Sequence, residues 1–291
     1  MPSHVVTNPP PPGSPEWRKL ITPSKIPIIL GVSRFKSQFA LWHEMAGNIE
    51  PEPPKGDHIA WGHDAEDSLV KWWKRHNPGW RTNSGEIAYT NPDLPFPNLA
   101  TLDRRAVRGR AYRIIECKTA RDLNDWGRPG EEGSAPTDYS TQVLSQMGIS
   151  GIHAADIPVL GGYGAPEIHT VPWDAELWEL IVPQLTAWHE SIEAGEPPEL
   201  SGSVADYKAL RGLHPEIEQG ATFEVGEQQA HAYLDAVHAL DAAKKEEQLQ
   251  KNQLMQAMGT AQKATFGTAT IATRRASHGR PALYANKKAK L

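Results

Sequence analysis

Apolar and polar positions along the chain alternate between helical and strand periods for about 200 residues, then settle into one long helical period. Thr22-Pro23-Ser24 offers a capped start with proline in the first turn and predicts a helix over 22–30, followed by a second over 35–46. A third helix is expected over 62–76. There Glu66, Leu69, Val70 and Trp73 share one face, and Asp64, Asp67 and Lys71 take the wet side. After Asn77-Pro78-Gly79, short strands are expected at 81–89, 100–107 and 112–119. A loop rich in Gly, Pro and acid over 127–137 precedes a helix at 139–152, strands at 156–160 and 168–171, and a helix at 175–193. This order predicts an α/β fold with a mixed central sheet flanked by helices. Over 226–258, Tyr233, Val237, Leu240, Lys244, Glu247, Lys251, Leu254 and Met258 recur at alternating spacings of four and three. Apolar at both ends and charged between, they predict a C-terminal long helical arm with a solvent-exposed middle, or an ordinary amphipathic helix packed on the body.

Composition narrows the class. Hydrophobic residues make up 39% and charged residues 22%, a globular balance without an apolar run that could span a bilayer, so no membrane association is expected. Met1-Pro2-Ser3-His4 lacks a basic stretch leading into an apolar one, and a cytoplasmic location is expected. The single cysteine, Cys117, excludes an internal disulfide and a four-cysteine metal cluster. Pro9 to Pro12 followed by Gly13-Ser14-Pro15 predicts a disordered, proline-rich segment over 1–15, with the fold beginning near Trp17. Net charge is −5, yet residues 260–291 carry seven basic side chains and no acid, leaving −12 for the first 259. That asymmetry fits a polyanion-binding end or a solvated basic tail. Gly161-Gly-Tyr-Gly164 lacks the helix-opening context of a phosphate loop, and no HExxH or CxxC occurs, so nucleotide hydrolysis and zinc catalysis lack support.

Chemistry concentrates between Ala100 and Thr119. If Gly109-Arg110 form a two-residue turn with glycine first, paired residue numbers sum to 219 and Asp103 lies opposite Glu116 on one sheet face. Two facing carboxylates repel unless a cation lies between them, and hard divalent cations bind through carboxylate oxygens. Lys118, two residues past Glu116, shares that face, whereas Cys117 alternates to the other. Glu66 projects from the core side of its helix, where a carboxylate is costly unless paired or metal-bound.

Asp-x12-Glu-x-Lys with a preceding helical Gly62-x3-Glu66 resembles the PD-(D/E)xK nuclease core. More specific is the order of flanking motifs: Trp17-Arg-Lys-Leu-Ile-Thr-Pro-Ser24, Leu30-Gly-Val-Ser33, Leu41-Trp-His-Glu-Met-Ala-Gly47, and Tyr139-Ser-Thr-Gln142-Val-Leu-Ser-Gln146-Met. Together they resemble the YqaJ-type viral recombinase family, relatives of phage lambda exonuclease, over residues 17 to about 200. The resemblance implies a restriction-endonuclease-like core at 16–200, a C-terminal helical extension with a basic tail at 201–291, and an exonuclease that degrades linear double-stranded DNA, 5′ to 3′, for phage-type recombination. By position, Glu66, Asp103, Glu116 and the carbonyl of Cys117 would hold magnesium, with manganese as a substitute. Lys118 would orient or deprotonate the attacking water and Gln142 would help position it. Arg18, Ser24 and Tyr139 would contact DNA. A single-strand annealing protein and a homo-oligomeric ring are the implied partners. A structure-specific or restriction-like endonuclease with the same core, and a non-catalytic DNA-binding assembly protein, are the competing readings.

Overall fold

A computed structural model describes residues 3–51 and 56–289. The chain divides into two compact units, Met1–Ile217 and Glu218–Leu291. In the first unit the elements run β1 (His4–Val6), α1 (Pro15–Arg18), α2 (Ile26–Ile29), α3 (Gln38–Met45), α4 (Asp57–His76), β2 (Arg81–Thr82), β3 (Ile87–Thr90), β4 (Ala100–Leu102), β5 (Arg104–Arg108) and β6 (Ala111–Ile115). They continue as β7 (Lys118–Thr119), α5 (Thr137–Ser150), β8 (Ala155–Leu160), β9 (Glu167–Val171), α6 (Ala175–Ala194) and α7 (Val204–Leu213).

The central sheet has six strands in the order β2-β5-β6-β8-β7, with β9 also on β8. β6 and β7 run parallel to β8 and the other pairs are antiparallel. A parallel pair needs a long crossover, which α5 supplies between β7 and β8. Consecutive isoleucines show the two faces: Ile114 joins the main core with Val143, Leu144 and Met147 of α5, and Ile115 packs with Val70 and Trp73 of α4. The fold is therefore α/β, a mixed sheet with helices on both faces. Trp73 is fixed there by donating its indole N–H to Asp156, 2.7 Å away, a carboxylate that also accepts from Arg113 and Thr170. Across the sheet, α5 and α6 approach so closely at Gly148 that an added Cβ would lie 2.3 Å from the Trp178 ring.

The hairpin register is the expected one. Arg104 pairs with Ile115 and Arg108 with Ala111, every pair summing to 219, and Gly109 takes φ +61° at the first turn position. Each strand of this hairpin is nevertheless interrupted. β4 pairs with β3 and β5 with β6, so the expected strand 100–107 changes sheet at Asp103. The expected strand 112–119 likewise breaks at Glu116 and Cys117. The expected strand 81–89 is two strands in different sheets.

Other boundaries shift for local reasons. The helix expected at 22–30 is only α2; α3 starts after Ser37, whose hydroxyl accepts from the Ala40 N–H; and α4 begins at Asp57 instead of 62. The disordered segment expected over 1–15 does not hold for His4–Val6. This β-branched stretch precedes the prolines and completes a three-stranded sheet by pairing His4 with Thr90 and Val6 with Ala88. Met1, Pro2 and Lys290 lie outside the described residues. A body ending at 200 leaves out α7, whose Ala209 packs with Phe39 and Ala40 of α3. The unit boundary accordingly falls at 217.

The second unit holds α8 (Glu227–Met258), the expected long helix, followed by β10 (Lys263–Phe266), β11 (Ala269–Ser277) and β12 (Arg280–Ala285). Residues 231–250 of α8 are exposed on every side. The basic end is an antiparallel three-stranded sheet rather than a solvated tail. Its Ala264, Ala272 and Leu283 are buried against Leu254, Met255 and Met258 of α8. The β11–β12 turn has two residues, His278 and Gly279, both at positive φ, as a type I′ hairpin requires. Among the described residues no helix is long and apolar enough to cross a membrane.

Candidate active site

The two strand breaks lie side by side and present their acids to α5. Asp103 accepts the main-chain N–H of Cys117 at Oδ2, 2.7 Å away, which locks the β4–β5 kink to the β6–β7 gap. Glu116, 4% exposed, receives three side-chain donors: Lys118 Nζ at 2.7 Å and Gln142 Nε2 at 2.6 Å on Oε1, and Gln146 Nε2 at 2.7 Å on Oε2. Lys118 also donates to Gln142 Oε1 at 3.3 Å, and its ammonium lies 5.2 Å from the centre of the Tyr139 ring. Tyr139, Gln142 and Gln146 reach one spot because offsets of three and four share a helix face.

The electrostatics follow from this crowding. Burial, with the Glu116 carboxylate beside it, holds the Asp103 carboxyl well above the usual carboxylate range. Burial works against the charge on Lys118, but the Glu116 and Asp103 carboxylates outweigh it and raise its pKa, so the group is an ammonium at neutral pH. Lys118 can therefore orient a water or neutralise a phosphate, and is not poised as a base. Cys117 turns to the α4 face, packs with the Trp73 cluster, and has its thiol pKa pushed up by burial.

Glu66 does not join the acid pair directly. Because α4 covers the opposite sheet face, the Glu66 carboxylate meets His63 Nδ1 at 3.0 Å and Arg104 at 3.5 Å. Arg104, buried, also donates to Asp67 and to the carbonyl of Asp103. Glu66 remains near enough to add to the upward push on Asp103. It also forms, with His63 and Glu86, a group whose ligand atoms lie within 4.8 Å of one another and could hold a metal ion. Arg18 and Ser24 make no hydrogen bond to the acid centre among the described residues. Arg18 is paired with Glu50 at 2.6 Å, and the exposed Ser24 hydroxyl lies 3.1 Å from that of Thr22. The loop between them is stapled by Lys25, whose ammonium donates to the carbonyls of Trp17, Arg18 and Leu20.

Sequence reasoning assigned no role to Gln146 or Arg104. Gln146 was legible as the next face-sharing residue after Gln142. Arg104, one residue past Asp103, alternates to the α4 side and meets the acids there. Gln146 is 1% exposed, and its Oε1 is buried without a protein partner.

The uncharacterized protein YqaJ of Bacillus subtilis (strain 168) is 28% identical over 215 residues, 72% of this chain; the match spans 65% of that relative's length, just under two thirds. Two solved structures match in part. An alkaline exonuclease (LHK-Exo) from Laribacter hongkongensis is 15% identical with TM-score 0.44, covering 61% of this chain and 90% of its own. A phage-related exonuclease from Haemophilus somnus 129PT is 14% identical with TM-score 0.43, covering 60% and 96%. Residues 16–153, which hold the acid pair, Lys118, Gln142 and Gln146, match the family described as the YqaJ-like viral recombinase domain. Over those residues, the chain is similar to the YqaJ-like viral recombinase family.

Proposed function

We propose that the first unit is a metal-dependent deoxyribonuclease that degrades linear duplex DNA from an end, 5′ to 3′, within a recombination system. One observation carries the reading: Asp103 and Glu116 are held together, with an ammonium on the same face and two glutamines fixing the geometry. Two crowded carboxylates suit a hard cation. The fit is supported by the orphaned, buried Oε1 of Gln146 beside Glu116, an acceptor suited to a metal-bound water. Asp103, Glu116 and the carbonyl of Cys117 would hold the ion, with Glu66 a further ligand if its side chain leaves Arg104.

A bound magnesium or manganese supplies Lewis acidity, lowering the pKa of its water and polarising the phosphoryl oxygen. Lys118 presents its ammonium where it can hold the attacking water and the developing negative charge. Gln142 bridges Lys118 and Glu116, restraining both. Tyr139, in tilted contact with Trp126 and Phe35, flanks Lys118 and offers a ring for a nucleotide at the scissile position. Arg18 and Ser24 would meet the DNA end only if Arg18 exchanges Glu50 for phosphate. The host cytoplasm, a single-strand annealing protein and a ring-shaped oligomer complete the proposal on the strength of the family.

Linear and closed circular duplexes incubated with magnesium, then with EDTA, test it. Mononucleotides from the linear form alone are expected, with loss in EDTA and in Lys118→Ala, where about 100- to 1,000-fold is expected for a positioned group that stabilises developing charge. Nicking of the closed circle would instead establish the endonuclease reading.

A further inference from the structure

The three-stranded sheet of the second unit has two unlike faces. Ala264, Ala272 and Leu283 turn toward α8. The register puts Lys263 opposite Thr273, Thr273 opposite Tyr284, Arg275 opposite Ala282 and Ser277 opposite Arg280. Residues directly opposite share a face, and so do residues two apart on a strand. Lys263, Arg275, Arg280 and the exposed Tyr284 therefore share the face away from α8.

In the first unit, Arg18, Arg34, Arg104 and Arg113 each meet a carboxylate. From residue 252 to 289 there is no acidic residue at all, so Arg274, Arg275 and Arg280 have no carboxylate partner within this stretch. Arg275 and Arg280 line a groove of about 410 Å³, whereas Arg274, opposite Leu283, lies on the α8 face and donates to the carbonyl of Gly259. Concentrated positive charge with no acid of its own is complementary to an external polyanion.

We propose that this face binds the phosphate backbone of duplex DNA, separately from the nuclease centre. Rows two residues apart on β11 lie about 6.8 Å from each other, so Lys263, Arg275 and Arg280 can meet successive phosphates of an extended polyanion, which an isolated phosphate cannot match. Tyr284 adds a hydroxyl and a ring at the same surface. The choice of DNA as the polyanion rests on the nuclease reading; the charge and register do not.

The test uses the full chain in EDTA, so that binding is read without cleavage. Anisotropy of a fluorescein-labelled 20-base-pair duplex is followed from 50 to 300 mM salt, for wild type and for Lys263→Ala/Arg275→Ala/Arg280→Ala. Each lost phosphate contact should reduce the slope of log affinity against log salt by about 0.9, or about 2.7 for the triple variant. Affinity at 100 mM salt should fall at least tenfold, and Arg275→Glu/Arg280→Glu should weaken it further. Inorganic phosphate at matched ionic strength should not displace the duplex. An unchanged slope in variants with wild-type circular dichroism overturns the proposal. So does displacement by phosphate, a wild-type chain that does not bind duplex, or polyglutamate bound as tightly as DNA with the same losses, the last marking an acidic protein partner. Failure of the nuclease reading would appear separately, as an absence of cleavage with the salt slope intact.

Discussion

Replacing each acid of the pair by its amide should move stability in opposite directions, because the two carboxylates have unequal partners. Glu116→Gln places an NH2 where three donors already converge. If its oxygen keeps Lys118 and Gln142, its nitrogen faces the Gln146 NH2, and a buried donor without an acceptor costs about 1–3 kcal/mol. The two retained bonds fall from charge-assisted to neutral, about 1 kcal/mol each. Relief of the repulsion with Asp103 returns about 1 kcal/mol. The net loss is about 2–4 kcal/mol. Asp103→Asn keeps an oxygen for the Cys117 N–H and removes the same repulsion at little cost, so its stability should equal or exceed wild type. The sign with pH is fixed: a carboxyl whose folded pKa is raised contributes stability at low pH that is lost as pH rises through that pKa. The advantage of Asp103→Asn should therefore grow from about pH 4 upward and vanish below it. Urea unfolding in EDTA, followed by tryptophan fluorescence, reads the first unit alone, since all ten tryptophans lie between Trp17 and Trp188. A Glu116→Gln midpoint at or above wild type, or a loss of more than about 1 kcal/mol in Asp103→Asn, would refute this account of the site.

Three further outcomes are expected. Gln146→Met should weaken manganese binding, measured by calorimetry without DNA, by about 10- to 100-fold, as loss of a group that orients a ligand does; an unchanged affinity would reduce Gln146 to packing. Gly148→Ala should destabilise by about 1–3 kcal/mol through the Trp178 ring, and pairing it with Trp178→Leu should recover part of that in a double-mutant cycle; additive losses would contradict the close approach. Metal at about 100 times its dissociation constant should stabilise the first unit by about 2.7 kcal/mol in urea melts, an effect that Asp103→Ala should abolish.

The parts of the site that were legible in sequence are those fixed by local geometry. A glycine-led two-residue turn sets the register, and strand alternation then puts Lys118 beside Glu116 and Cys117 on the other face. Where α4 would pack was not local, so the Arg104 and His63 partners of Glu66 were out of reach. The kink at Asp103 was equally hidden, because it arises from β4 and β5 pairing with different strands, one of them upstream by about fifteen residues. β1 pairs with a strand more than eighty residues away, and proline content beside it pointed to disorder. The C-terminal sheet escaped notice because its inward positions are largely alanine, Ala264 and Ala272, which give little hydrophobic alternation to read.

The two-residue turn at Gly109 has a consequence for how such a site can change length over evolution. Asp103 and Glu116 lie just beyond the last pair, Arg104 with Ile115, of a ladder that grows from that turn, so adding or removing one residue from each arm lengthens or shortens the hairpin while leaving both acids on the same face. A single-residue change in one arm turns its acid to the far side of the sheet unless a bulge absorbs it. Among proteins that share this arrangement and its tight turn, the gap between the two acids should therefore vary in even steps, and an odd gap should mark a bulge or a different turn.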